Sequence, residues 1–404
     1  MQELPLTGIR VVDFTQVRAG AHVTQWLAVM GAEVIKIESI LRPDGRRVSL
    51  PGKPQPGPNK VHNFATFNYS KKDITLNMKQ PRAAELVKEL VKVSDIVADN
   101  FGGPVMDRWG LGYKDLKKIK PDIIALSVSG WGRTGPYSER LAYAPIIDAF
   151  NGFVFTNGYA GEEARPIGNG GRADSVAAQH AVFAIMAALY HRAQTGKGQY
   201  IDLSMAEANM AFAAEMVLNY TVNEKEIGRM GNRDEIMAPH GCYRCRGKDK
   251  WVAIAVANDE EWSALCDVMG NPEWTNREEF SDALSRWQNQ DEMDQLITEW
   301  TLNYTHLEVM DMLQTAGVTA GATQNIPEIV NDPHLKERGF LVELQHPEMG
   351  KMVRTGLPWR LSEIPRGFYR YPPLIGEHND YVFGELLGLS KNEIKQLQDE
   401  QVIY

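Results

Sequence analysis

Asp174 is the residue of this 404-residue sequence whose surroundings first suggest chemistry. It lies in the segment GGRADS (170–175), where a long helical pattern, residues 174–192, begins. A carboxylate at the start of a helix lies beside free backbone N–H groups, which favour its ionised form and can also stabilise an oxyanion. Such a carboxylate can attack an activated acyl group as a covalent nucleophile. The same pattern is typical of an N-cap or first-turn acid that only satisfies backbone N–H groups, and the residue types alone leave both interpretations open.

Histidine and cysteine provide weaker candidates for chemistry. His180 follows Asp174 by six residues, so the two side chains do not share a helix face. The sequence has no G-x-S-x-G motif, and a Ser–His–Asp arrangement cannot be assembled from local motifs. The segment HGCYRC (240–245) has metal-ligating residue types, but Cys266 is the only other cysteine, and the alternation is typical of a β-hairpin. We therefore expect no metal site.

Composition and charge narrow the class of protein. Hydrophobic residues make up 43% of the chain, charged residues 24%, and the formal net charge is −9. Acidic and basic residues are mixed, without a run of Lys and Arg long enough to indicate a nucleic-acid surface. The sequence shows no membrane-span or signal-peptide pattern, and three cysteines do not make a disulfide framework. We expect a cytoplasmic protein of two or three domains with no nucleic-acid or membrane partner.

The elements that would position Asp174 alternate between strand and helix. Buried strand patterns occupy residues 8–14, 32–38, 74–78, 95–99, 122–129 and 200–205. Helical patterns separate several of them, which predicts a parallel sheet with helices on both faces. The first strand–helix–strand unit lacks G-x-G-x-x-G, which disfavours a nicotinamide enzyme. Its small residues at 19–21 would let a phosphate-bearing ligand approach the helix N-terminus, although a purely structural unit fits the pattern equally well.

The pattern changes after about Asn223. Residues 242–256 are typical of a β-hairpin, and several short helical patterns follow up to residue 316. This change predicts a smaller α+β domain inserted in the chain. From residue 326 onward the sequence predicts a helix, a hairpin near Gly350 and a C-terminal helix after Ser390.

Segments spread over nearly the whole chain match one family. They include GIRVVDFTQVRAG, MGAEVIKIE, DIVADNFGGPVMDRWGLGY, LSVSGWGRTGPY, ADSVAAQHAVFAIMAALYHRAQTGKGQYIDLSM and GEHNDYVFGELLGLSKNEI. Each segment alone is weak, but their order over 404 residues is specific. The sequence resembles the family III CoA-transferases, the group that includes formyl-CoA:oxalate and crotonobetainyl-CoA:carnitine CoA-transferases.

The resemblance implies a fold and an assembly. Residues 1–224 and 326–404 would form a large, Rossmann-like, CoA-binding domain of the α/β class, and residues 225–325 the small α+β domain. Two chains would be threaded through one another as interlocked rings. A homodimer is expected, and a heteromer with a homologous subunit, as in a benzylsuccinate-type complex, is the alternative.

The resemblance also implies roles for individual residues. Asp174 matches the family's catalytic aspartate. The residues that match the family's CoA contacts are Val17, Arg18, Leu76, Lys79, Asn100, Phe101, Gly102 and Arg108. The three cations among them suit the CoA phosphates, and the apolar side chains suit the adenine. A basic residue that the family often has near the site falls on Leu141, with Arg140 beside it.

The implied reaction moves CoA between an acyl-CoA, such as succinyl-CoA, and a small organic acid. Asp174 would form an aspartyl anhydride and then an aspartyl-CoA thioester. Coenzyme A and its acyl esters would be substrates, and no permanently bound cofactor is expected. The alternative is an acyl-CoA racemase of the same fold, which needs a histidine and an aspartate as its two bases. That histidine would fall at about Tyr143, and the sequence has no histidine nearby.

Overall fold

The computed structural model describes residues 3–48, 57–165, 168 and 171–404, which form two compact units. The first unit contains the described residues of Met1–Phe153, Pro166–Lys225 and Glu337–Tyr404. The second contains Val154–Arg165 and Glu226–Lys336.

These boundaries differ from the sequence prediction in two segments, and by one residue at Lys225, which lies in the first unit. Segments 154–165 and 326–336, which we assigned to the large domain, belong to the second unit. The first segment is tied there because the Arg229 guanidinium donates to the carbonyl oxygens of Glu162 (2.9 Å) and Phe155 (2.8 Å). The second is tied there by an ion pair between Lys250 and Glu328.

The first unit is built on a six-stranded parallel sheet of order β3-β2-β1-β4-β5-β6. Its strands are β1 (Arg10–Asp13), β2 (Glu33–Glu38), β3 (Lys72–Thr75), β4 (Ile96–Asp99), β5 (Ile124–Ser129) and β6 (Tyr200–Ser204). The predicted parallel sheet is confirmed, with the strand order of doubly wound nucleotide-binding folds. Because the order reverses between β1 and β4, the loops after these two strands enclose a crevice at the carboxyl edge, where such sheets bind ligands.

Helices cover both faces of this sheet. The helices of this unit are α1 (Ala19–Val29), α2 (His62–Asn68), α3 (Pro81–Lys92), α4 (Val105–Arg108), α5 (Tyr113–Ile119), α6 (Ala144–Phe150), α8 (Arg172–Thr195), α9 (Met205–Met210) and α10 (Ala214–Asn223). Helix α7 (Phe153–Thr156) follows α6 in sequence, and its residues 154–156 belong to the second unit. Successive strand residues point to opposite faces. Val11 accordingly packs in a core with α1 and α8, and Val12 in a second core with α3.

By length and apolar composition, α8 is the helix among the described residues that could span a membrane. Eight of its residues are buried within the structure, and Ala177, Ala181 and Ala188 belong to the core shared with α1. Small side chains on this face let α8 pack closely, which fixes the position of its first turn.

The second unit contains the predicted hairpin, which the structure confirms. Its strands β7 (His240–Arg244), β8 (Trp251–Ala255) and β9 (Thr319–Ala322) form an antiparallel sheet of order β7-β8-β9. The helices around it are α11 (Asp259–Met269), α12 (Ala283–Gln288), α13 (Gln290–Thr301), α14 (His306–Thr315), α15 (Ile326–Asn331) and α16 (Pro333–Glu337). Tyr243 and Cys245 are buried in its core.

The C-terminal part of the chain returns to the first unit. It forms a hairpin of β10 (Leu341–His346) and β11 (Gly350–Thr355), a π-helix (Asp380–Leu386) and α17 (Lys391–Asp399). The last residues lie beside the end of β3, where the Asn77 N–H donates to the Val402 carbonyl (2.9 Å) and Leu76 bridges to Ile403. The C-terminus therefore supports the loop after β3 at the sheet's carboxyl edge.

Candidate active site

The turn between β1 and α1 is held by two side chains from other loops. The Asn100 carboxamide accepts from the Gln16 N–H (2.7 Å) and donates to the Gln16 carbonyl (2.9 Å). The Asp44 carboxylate accepts from the Val17 N–H (3.1 Å). Val17 itself has φ +64°, in the left-handed region that side chains rarely adopt. These bonds hold the strained turn in place and direct the next residue, Arg18.

Arg18 is the residue preceding α1, and its side chain reaches the start of α8. A Cβ added at Gly171 would lie 2.1 Å from Arg18 Nη1, so the guanidinium rests directly on this glycine. Its Nη2 donates to Ser175 Oγ (3.3 Å), and its Cζ lies 4.9 Å from the centre of the Phe67 ring. Gly171 has φ +56°, so both the backbone and the close approach of Arg18 favour glycine here.

Asp174 lies in the first turn of α8, three residues after the N-cap Gly171. The N-cap is Gly171, so Asp174 is an acid of the first turn and not the N-cap residue, a position that fits both the structural and the catalytic interpretation. Among the described residues, Asp174 has neither a hydrogen-bond nor an ion-pair partner; its neighbour Ala173 is fully buried. The carboxylate is therefore half-buried, beside the N-terminus of a core helix, and available to a substrate.

Charges around Asp174 act on it in opposite directions. Burial raises the pKa of Asp174 above its usual value, Arg18 and Arg46 oppose that rise, and Asp148 adds to it. Asp148 is itself paired with Arg172 (2.6 Å). The two arginines thus favour the ionised form that a nucleophile requires.

A cleft of about 630 Å³ opens beside the β1–α1 turn, at the carboxyl ends of the central strands. Five of the residues predicted to contact CoA line it: Leu76, Lys79, Phe101, Gly102 and Arg108. Its apolar wall is an aromatic cluster in which the Phe101 ring lies 5.5 Å from that of Trp109 and 6.5 Å from that of Phe14. The cleft therefore combines cations with an apolar aromatic surface.

The other three predicted contacts lie outside the lining of this cleft. Val17 and Asn100 take part in the bonds of the β1–α1 turn, and Arg18 lies over Gly171. Leu141 lines the cleft, whereas the Arg140 guanidinium lies over the Tyr137 ring, 3.8 Å from its centre.

Comparison with known proteins places this arrangement in a family. A profile of CoA-transferase family III matches residues 6–379. The chain belongs to CoA-transferase family III. The beta subunit of the succinyl-CoA–L-malate CoA-transferase of Chloroflexus aurantiacus is 31% identical over 403 residues, which cover 99% of this chain and 98% of the relative. The succinyl-CoA–D-citramalate CoA-transferase of the same organism is 32% identical over 407 residues, which cover 99% of this chain and 98% of the relative.

Solved structures agree with this assignment. A CAIB/BAIF family protein from Brucella suis has a TM-score of 0.86 and 31% sequence identity, covering 95% of this chain and all of that one. The mixed α/β fold of this CoA-transferase is therefore the fold of its family.

Sequence reasoning missed several residues of this candidate site. Arg42, Ser39 and Trp109 line the cleft, and Arg46 acts on Asp174. The sequence could have predicted Ser39, Arg42 and Arg46, because they follow β2 and so belong to a loop at the sheet's carboxyl edge.

A buried ionic network lies beneath the site. Lys36 pairs with Asp44 (3.1 Å), and Arg47 pairs with Glu38 (2.7 Å) and Asp73 (3.3 Å). Burial alone would raise the pKa of Glu38, but Arg47 and its other partners lower it to about 2. Breaking such a pair leaves an uncompensated buried charge, so the network holds the loop after β2 firmly.

His22 lies near the site but is held neutral. Its ring packs against Trp26 (5.0 Å) and Phe67 (5.2 Å), and its Nδ1 has no hydrogen-bond partner in the part of the chain that the structure describes. Burial and the charges of Arg18 and Lys71 lower the pKa of His22 to about 4. The ring therefore carries no charge at neutral pH.

Proposed function

We propose that this transferase moves CoA from an acyl-CoA, with succinyl-CoA as donor, to a small organic acid, and that Asp174 is the nucleophile. The observation that carries the proposal is the half-buried Asp174 carboxylate, without a partner among the described residues, beside two arginines at the N-terminus of α8. The names of the two Chloroflexus relatives support succinyl-CoA as the donor.

The cleft beside the β1–α1 turn would hold CoA. Lys79, Arg108 and Arg42 supply cations for its phosphates, and Phe101 and Trp109 supply an apolar surface for its adenine. The turn that carries Gln16 lines this cleft on one side and leads to Arg18 on the other. A thioester entering along the turn would bring its carbonyl to Asp174.

The chemistry would proceed through four exchanges at acyl carbons. An oxygen of Asp174 attacks the thioester carbonyl and forms a carbon–oxygen bond, the carbon–sulfur bond breaks, and CoA leaves as a thiolate while the acyl group stays on Asp174 as a mixed anhydride. The thiolate then attacks the aspartyl carbonyl, which releases the first acid and leaves an aspartyl-CoA thioester. The carboxylate of the second acid attacks that thioester, releases the thiolate and forms a second anhydride with Asp174. The thiolate then attacks the carbonyl of the second acid in this anhydride, which gives the new acyl-CoA and frees the Asp174 carboxylate.

Each step replaces one acyl bond by another and needs no net proton. The acceleration must then come from positioning and from stabilising the oxyanion of each tetrahedral intermediate. The N–H groups of the first turn of α8 and the guanidinium of Arg18, which lies over Gly171, would donate to that charge.

A CoA-exchange assay tests the role of Asp174. Purified protein is mixed with succinyl-CoA and a panel of acids, and new CoA esters are detected by mass. Asp174→Ala should lower turnover by about 10⁴-fold or more while CoA still binds. Asp115→Asn is the matched control, because Asp115 also lies in the first turn of a helix and pairs with Lys118 on the surface.

Substantial turnover by Asp174→Ala would refute the nucleophile. Exchange of the α-hydrogen of an acyl-CoA with solvent deuterium, without net CoA transfer to any acid, would instead favour the racemase.

We also propose that a second copy of the chain covers exposed apolar side chains of α8 and α10. Phe183 and Tyr190 on α8 are 76% and 71% exposed, and Leu218 and Val222 on α10 are 62% and 69% exposed. Apolar surface of this kind marks an interface between proteins. Because the L-malate relative is named as a subunit, a heteromer with a homologous chain is the alternative. Light scattering on the purified chain would report a dimer, and a monomer would favour the heteromer.

A further inference from the structure

Arg18 and Arg46 bring more positive charge to Asp174 than the described residues balance. The carboxylates nearby are already engaged, Asp44 with Lys36 and Asp148 with Arg172. The Nε atoms of both Arg18 and Arg46 are buried and have no hydrogen-bond partner within residues 3–48, 57–165, 168 and 171–404. An arginine donor buried without a partner carries a desolvation penalty, which a bound anion would remove.

One buried carboxylate sets the positions of both arginines. Asp44 accepts from the Val17 N–H on one turn and from the Arg46 N–H (2.9 Å) on the other. Its own N–H donates to Glu38 (3.0 Å), and Lys36 pairs with it at 3.1 Å. The two turns that carry Arg18 and Arg46 are thus joined by a side chain that is 1% exposed. The positions of Arg18 and Arg46 are therefore fixed by buried hydrogen bonds within the fold.

The charge balance changes during the proposed reaction. While Asp174 is ionised, two cations face one carboxylate. Once Asp174 is acylated it is neutral, and the two guanidinium groups keep their positive charges without the counter-charge of Asp174. Like charges in a partly buried site repel, so an anionic group on the substrate would stabilise the acylated enzyme.

From this geometry we infer that Arg46, together with Arg18, binds the second carboxylate of a dicarboxylic acyl group and so selects dicarboxylic over monocarboxylic acids. The planar guanidinium can bind a carboxylate through two parallel hydrogen bonds. In a succinyl group the second carboxylate is three carbon–carbon bonds from the reacting carbonyl, so both can lie within one small site. This inference rests on the proposed CoA transfer and adds the class of acid.

The test uses matched acids of equal length as CoA acceptors. Succinate is compared with butyrate, and glutarate with valerate, with the full-length protein and one acyl-CoA donor. The wild type should prefer each dicarboxylate. Arg46→Gln should lower the ratio of kcat/KM for dicarboxylate over monocarboxylate by about 10- to 100-fold, the range expected for a lost charge-assisted hydrogen bond. Arg46→Lys, which keeps the charge, should recover part of that ratio.

Arg42→Gln is the control, because Arg42 lines the CoA cleft. It should raise the KM for the acyl-CoA and leave the acid ratio unchanged. A wild type that uses butyrate as well as succinate overturns the inference but not CoA transfer. An Arg46→Gln variant that slows both acids by the same factor also overturns it. A wild type that transfers CoA to no acid removes the proposed function and the inference together.

Discussion

The contact between Arg18 and Gly171 predicts an unequal effect of the same substitution at the two ends of α8. Gly171 precedes this helix with φ +56°, and Gly196 follows it with φ +69°. A Cβ at residue 171 would lie 2.1 Å from Arg18 Nη1, whereas a Cβ at residue 196 meets nothing within 4 Å. Gly171→Ala and Gly196→Ala therefore carry the same backbone strain, and only the first displaces the guanidinium.

The expected losses of stability and activity follow from the backbone strain and from the displacement of the guanidinium. A left-handed backbone costs an L-residue roughly 1–2 kcal/mol, so both variants should lose that much stability. For a unit of this size the thermal midpoint should then fall by about 2–8 °C. A catalytic group displaced by about 1 Å can cost 100-fold, so kcat/KM should fall by about 10- to 100-fold in Gly171→Ala and by less than about 2-fold in Gly196→Ala.

Initial rates of CoA exchange and thermal unfolding would be measured on both variants in parallel. Equal activity of the two variants, at equal loss of thermal stability, would refute the argument that Arg18 must rest on Gly171 for catalysis.

Two further outcomes are expected. Because burial raises the pKa of Asp174 and the ionised form attacks, kcat/KM should fall on the acid side at a pH above the usual Asp value. Arg18→Gln removes a cation that lowers this pKa, so the acid limb should move to higher pH; a move to lower pH, or none, would contradict the assigned electrostatics. Asn100→Ala removes two hydrogen bonds to Gln16, worth about 1–3 kcal/mol together, so thermal stability and turnover should fall together. A raised KM for acyl-CoA at unchanged thermal stability would instead mean that Asn100 contacts CoA.

The parallel sheet could be predicted because its strands are short apolar runs with local turn signals. Residues 8–14 and 95–99 are such runs, and they become β1 and β4. Because parallel sheets bind ligands at the carboxyl ends of their strands, residues that follow these strands could be predicted to line a cleft, as Leu76 and Phe101 do.

Other features depend on contacts between distant parts of the chain. Arg18 reaches Gly171 through a turn whose left-handed Val17 has no local sequence signal. Arg46 is brought to Asp174 by the buried Asp44, and Asn100 joins two turns that are 84 residues apart in sequence. The segment 154–165 joins the second unit through hydrogen bonds from the Arg229 guanidinium to backbone carbonyls, which no hydrophobic pattern predicts.

The most direct measurement of the central claim traps the intermediate on Asp174. The protein is incubated with succinyl-CoA and hydroxylamine, digested, and the peptide containing Asp174 is analysed by mass spectrometry. An aspartyl hydroxamate should form at Asp174, and it should require acyl-CoA. Efficient CoA exchange by the same preparation, with an unmodified Asp174 peptide, would contradict covalent catalysis by this residue.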